Sequence, residues 1–142
     1  MRLFVVLSLL CMRMLFATDA MEAAKNLGVE NRYDTAIAKA TKENKMLIMV
    51  IVKKHCRWCE KLVDKTLSNR QVRDTLNDFV TLIVDKGADY PSDFNVSFFP
   101  SIFYIDPASG KSVYESMGYV GVKCFINDLH DAQKTRESLY EE

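Results

Sequence analysis

The chain has 142 residues, enough for one domain with its own buried core. Its composition, 49% hydrophobic and 27% charged, excludes a disordered or fibrous protein. The formal net charge is zero and the sequence carries no basic run, which argues against nucleic acid as a partner.

Residues 1–20 differ in kind from the rest. Arg2 gives a short positive start, an apolar stretch broken by Ser8 follows, and small residues stand at Ala17 and Ala20. That order predicts a secretory signal peptide cut near residues 17–20, its apolar core being too short to span a bilayer. Arg13 interrupts the run, so a buried first helix is the alternative. Cys11 would mark a lipoprotein, but bulky Leu10 stands where a small residue is needed. Residues 21–142 are then the mature domain, expected as a soluble monomer in the periplasm or secreted. Only Cys56, Cys59 and Cys124 remain in it. Structural staples come in even numbers, so a close pair plus one leftover reads as working chemistry.

In chain order, Tyr33, Ala36, Ile37 and Ala40 recur at helical spacing, predicting an amphipathic helix over residues 31–45. The seven-residue apolar run 46–52 predicts a strand covered on both faces. Lys53, Lys54 and His55 end it. Cys59, Leu62, Val63, Thr66 and Leu67 then form one helical stripe, and Asn69 can cap a further helix carrying Val72, Leu76 and Phe79. Residues 80–84 read as a second strand. A loop through Gly87, Tyr90 and Pro91 leads to a short helical segment at residues 93–96. Residues 102–105 read as a third strand, and the turn at residues 106–110 leads to a polar edge strand over residues 112–119. A last helix runs over about residues 122–138, with Val122, Phe125, Ile126 and Leu129 on its apolar side. Strand–helix–strand units predict a parallel core, and the short turn predicts an antiparallel hairpin. The fold class is α/β, a central mixed β-sheet with helices on both faces.

Chemistry concentrates at Cys56-Arg57-Trp58-Cys59, between a buried strand and a helix. Disulfide exchange needs a thiolate to attack a sulfur and a second thiol to resolve the mixed disulfide. A helix N-terminus stabilises a thiolate, and Lys53, Lys54, His55 and Arg57 add positive charge around the same turn. Cys56 is expected as the exposed nucleophile with a lowered pKa, and Cys59, on the apolar stripe, as the shielded resolving thiol. A zinc half-site and a structural disulfide are the alternatives; zinc is disfavoured because Cys124, His55 and His130 supply no matching second pair. No metal or other cofactor is expected.

The run MLIMVIVKKHCRWCEKL, with Pro100 in FFPSIFYID and the closing MGYVGVKCFINDL, resembles the thioredoxin-fold oxidoreductases. The resemblance spans about residues 30–135 and is closest to the exported bacterial thioredoxin-like proteins, which include SoxW-type proteins and the C-terminal domain of DsbD. It implies that Pro100 is cis and sits against the cysteine pair, turning the backbone so that Phe99 offers main-chain groups to an extended substrate. An ordinary trans-proline opening a strand is the alternative. Trp58 would form an apolar docking surface beside Cys56, or pack in the core. Two departures matter. His55 and Arg57-Trp58 replace the Trp and Gly-Pro of the typical WCGPC motif. The buried acid six residues before the first cysteine is replaced by Val50, leaving Asp85, Glu60 or water to move protons.

The expected function is a thiol–disulfide oxidoreductase acting as a reductant on disulfides of exported proteins. The resemblance implies recharging by a DsbD-type membrane thiol transporter. A disulfide oxidant or isomerase, favoured by Arg57 beside Cys56, and a non-catalytic binding module are the rivals. His55 either tunes the Cys56 thiolate or is a bland loop residue. His130 reads as a surface residue. Cys124, opposite the apolar side of its helix, is either an exposed reactive thiol or an inert, partly covered one.

Overall fold

The computed structural model describes residues 19–141, so the expected signal peptide lies, but for its last two residues, outside the described residues. The elements are α1 (Ala20–Leu27), α2 (Tyr33–Glu43), β1 (Leu47–Val52), α3 (Arg57–Lys61), α4 (Arg70–Leu76), β2 (Val80–Asp85), β3 (Ser101–Asp106), β4 (Lys111–Met117) and α5 (Val122–Ser138). The chain leaves α3 directly into a π-helical stretch, Leu62–Leu67.

The four strands form one sheet in the order β2-β1-β3-β4. β1 runs parallel to β2 and antiparallel to β3, and β3 is antiparallel to β4. The sheet is mixed, but its parallel part is a single pair. The physical reason lies in the connection from β2 to β3. A parallel return needs a crossover along the length of the sheet. Here the link holds only a 3-10 turn, Ser92–Phe94, so the chain stays at the end where β2 finishes and runs back down as β3. That turn also corrects the helical segment expected over residues 93–96.

All six residues of β1 are buried, as a central strand covered on both faces requires. Its side chains alternate between two clusters. Ile48, Val50 and Val52 join a core with α1, Leu62, Leu67, Phe125 and Leu129, while Leu47, Met49 and Ile51 join Ala36 and Ala40 of α2 with Phe94 and Phe103. β4 is the solvent-facing edge, and α5 buries Phe125, Leu129 and Ala132.

α1 is the element the sequence reading missed. Ala20, Ala23 and Ala24 are buried on it, the Asp19 carboxylate accepts from the Met21 N–H, and Gly28 closes it at φ 68°. Small side chains made the signal weak by hydropathy, although Asp19 and Gly28 are readable caps. The boundary expected between residues 20 and 21 falls inside its first turn.

At the N-terminal end of β1, the buried Asp106 is fully partnered. Its carboxylate accepts from Arg136 Nε (2.8 Å), the Tyr140 hydroxyl (2.6 Å), and the Ser109 hydroxyl (2.9 Å) and N–H (3.1 Å). Burial opposes its ionisation, but these donors outweigh it and hold the carboxyl down at about 2. Arg136 also donates to the Asn44 side chain at 2.7 Å, tying the end of α5 to the left-handed residue that ends α2.

Candidate functional site

The other end of β1 builds the site. After Val52 the chain leaves the sheet through exposed Lys53, Lys54 and His55, and His55 takes a left-handed backbone (φ 55°). That turn sets Cys56 at the N-cap of α3. Its sulfur stands where a Ser or Asp oxygen would, accepting the Cys59 N–H at 3.2 Å. Cys56 and Cys59 are joined by a disulfide. Unpaired N–H groups and the helix dipole favour negative charge on a sulfur so placed.

The exposure of the pair differs from expectation. Cys56 is 6% exposed and Cys59 4%, so in the disulfide form both are covered. The linked sulfurs join the apolar cluster that contains Leu62, with Phe99 and Tyr119 packed on it. What separates the two cysteines is position on the helix, cap against buried stripe, rather than exposure.

The rest of the site comes from β3 and the loop before α5. The β1–β3 pairing ends at Ile51↔Ser101, so Pro100 and Phe99 lie just before β3 at the C-terminal end of β1. Pro100 is buried and the Phe99–Pro100 peptide bond is cis. Ser101 donates to the Phe98 carbonyl and Gly118 N–H to the Pro100 carbonyl. Among the described residues, no hydrogen bond within the chain uses the Phe99 N–H or C=O. Lys53 and Lys86 stand over the Phe99 ring, their amino groups 5.3 and 5.6 Å from its centroid. Trp58 is exposed, with its ring 5.9 Å from that of Tyr119. Lys61 lies over both rings, at 5.1 and 4.4 Å, and Arg57 lies 5.5 Å from Trp58. Buried Thr66 donates to the Val120 carbonyl at 2.6 Å, linking the π-helical stretch to the loop that carries Tyr119.

The structure thus brings together Cys56, Arg57, Trp58, Cys59, Phe99 and Pro100, and puts His55 in the turn beside them. Tyr119, Lys61, Lys86 and Asp19 join the site without a sequence signal of their own pointing to it. Tyr119 was readable only as part of the closing run MGYVGVKCFINDL, and Lys86 meets the site because β2 ends beside β1, a pairing no local pattern reveals. Cys124 and His130 are exposed on α5, outside the site. Among the described residues, no group of three or more His, Cys, Asp and Glu is arranged to hold a metal ion.

Val50 has a carboxylate neighbour on the next strand. Asp85 pairs in register with Val52, two residues beyond the Val50↔Ile83 pair and on the same sheet face. Its Oδ1 is buried with no hydrogen-bond partner. Burial, and then the adjoining Asp19 carboxyl, push Asp85 up to about 6, against the pull of the Ala20 N–H and Lys54. Asp19 is lowered, first by its interaction with Asp85.

Residues 33–133 match the thioredoxin-like domain family. The chain belongs to that family. In fold, this thioredoxin-like protein is similar to a thioredoxin from Thermus thermophilus, at 20% identity and a TM-score of 0.65 over 80% of this chain and 96% of that one. The reduced C-terminal domain of DsbD from Neisseria meningitidis is similar at 19% identity and a TM-score of 0.59, covering 70% and 92%. SoxS from Paracoccus pantotrophus, a periplasmic thioredoxin, follows at 14% and 0.54, covering 65% and 99%. No curated protein matches the chain in sequence. The thioredoxin fold and a cysteine pair at a helix N-terminus are together the equipment of thiol–disulfide exchange.

Proposed function

We propose that the protein is a thiol–disulfide oxidoreductase that reduces disulfides in exported proteins. The observation that carries this reading is the Cys56–Cys59 disulfide with Cys56 at the N-cap of α3. In the reduced protein, the Cys56 thiolate attacks one sulfur of a client disulfide. A bond forms between Cys56 and the client, and the other client sulfur leaves as a thiolate. Cys59 loses its proton and attacks the Cys56 sulfur. The second client sulfur leaves, the Cys56–Cys59 disulfide forms, and two electrons have passed to the client. Asp85, with its raised pKa and its place on the Val50 face, is the group that takes the Cys59 proton, directly or through water. The free N–H and C=O of Phe99 give an extended client segment a strand to pair with, and Trp58 supplies an apolar pad beside Cys56.

Export rests on the secretory-signal pattern that begins the sequence, and a cut near Ala17 leaves Asp19 and Ala20 in the mature domain. Among the described residues, no helix is long and apolar enough to cross a membrane. A reductant working outside the cytoplasm has to be recharged by a dithiol donor, and a DsbD-type membrane thiol transporter fits that role. A second reading, a disulfide oxidant, is favoured by Arg57 and the N-cap geometry, since both stabilise the reduced thiolate.

An insulin-reduction assay tests the chemistry. Wild type should turn over and Cys56→Ser should fall to background; equal rates would leave only a binding module. The reduction potential separates the directions. A value near −270 mV marks a thioredoxin-like reductant and one near −120 mV an oxidant.

A further inference from the structure

Positive charge gathers at the site in a chain whose formal net charge is zero. Lys53, Lys54, Arg57, Lys61 and Lys86 are exposed on the segments that carry the site. Lys54 faces carboxylates, those of Asp19 and Asp85. The other four belong to none of the ion pairs among the described residues, and the half-buried Glu60 in α3 is bridged to none of them. They stand instead over aromatic rings, and in two groups. Lys53 and Lys86 flank Phe99 on the β3 side, while Arg57 and Lys61 flank Trp58 and Tyr119 on the helix side. Cation–ring contacts at exposed sites are worth only about 0.5–1 kcal/mol, so these cations remain available to a stronger partner.

We propose that the site selects client segments carrying acidic residues on both sides of the reacting cysteine, one side meeting Lys53 and Lys86 and the other Arg57 and Lys61. This inference rests on the thiol–disulfide reading above. A client strand lying along Phe99 passes between the two cationic groups, with its backbone on Phe99 and its apolar side chains on Trp58 and Tyr119. Carboxylates before and after the cysteine then replace the rings as partners of the four cations. Complementary charge of this kind raises association rates and rejects basic partners.

Two synthetic disulfide peptides, identical except for Glu or Lys around the cysteines, test the proposal. The rate of oxidation of the reduced protein is followed by emission of Trp58, the chain's single tryptophan. The Glu peptide should react about tenfold faster or more at low ionic strength. That ratio should shrink towards one at high salt, and in Lys53→Glu/Lys86→Glu protein. Equal rates for the two peptides in wild type, or a ratio unmoved by salt and by the double variant, would overturn the proposal. Cysteine-free versions of the peptides, titrated into the oxidised protein, isolate docking from exchange. Tighter binding of the Glu version without any exchange would sink the proposed function and sustain the selection. Exchange without preferential binding or rate would do the reverse.

Discussion

The two ends of β1 treat charge in opposite ways. At its N-terminal end, Asp106 is wholly buried and every donor around it is engaged, with Arg136, Tyr140 and Ser109 converging on one carboxylate. At its C-terminal end, four cations have rings rather than carboxylates as neighbours, Asp85 Oδ1 has no partner, and the Phe99 backbone is unpaired. A satisfied network closes a fold because its members gain nothing by meeting anything else. An unsatisfied set is open to a partner and to a proton. The sheet therefore has a locking end and a working end, connected by a strand with no exposed residue.

The largest effect that would sharpen this contrast is chemical. Cys56→Ser should remove insulin-reducing activity while leaving urea unfolding of the Asp106 end unchanged relative to a reduced wild type. Next comes Arg136→Ala, which leaves a buried carboxylate short of its cation. It should cost about 3 kcal/mol in urea unfolding, with little change in exchange rate per folded molecule. A cost below about 1 kcal/mol would show that the Asp106 network is not a lock.

The pH responses of the two ends should be opposite. Asp106, held at about 2, stabilises the fold above its unfolded value of 3.8, and that contribution is lost as pH falls towards 2. Asp85, raised to about 6, contributes stability below 3.8 that is lost as pH rises through 6. Unfolding midpoints measured from pH 2 to 8 should show Asp106→Asn most harmful above pH 4. Asp85→Asn should be relatively most favourable above pH 6, with its exchange rate losing the wild-type pH dependence near 6. A parallel pH profile for both variants would erase the distinction between the ends. Smallest in stability is Trp58→Ala. Because the indole is 48% exposed, the change should cost less than about 1 kcal/mol, yet slow client reduction several-fold.

Much of this was legible along the chain because the signals were local. The length and β-branched content of the run through Val50 favoured a strand covered on both faces, and the stripe from Cys59 to Leu67 a helix with one buried side, which the structure divides between α3 and a π-helical stretch. Cys56 at their junction followed, and Asn69 capped α4 as its side chain allows. α1 escaped because alanines bury area without raising hydropathy. The direction of β3 escaped because it depends on where a loop ends, not on what the strand contains.

By itself, the sequence determined the α/β order, the buried central strand, and a cysteine pair at a strand–helix junction, since each follows from hydrophobic period and spacing. Only tertiary structure decided that Cys56 is covered in the disulfide, that Asp85 stands on the Val50 face beside Asp19, and that Lys53 and Lys86 stand over Phe99 while Arg57 and Lys61 stand over Trp58 and Tyr119. These depend on which strands pair and at what register. Hydrogen-bonded pairing joins residues distant in sequence, and no pattern within one segment encodes its partner.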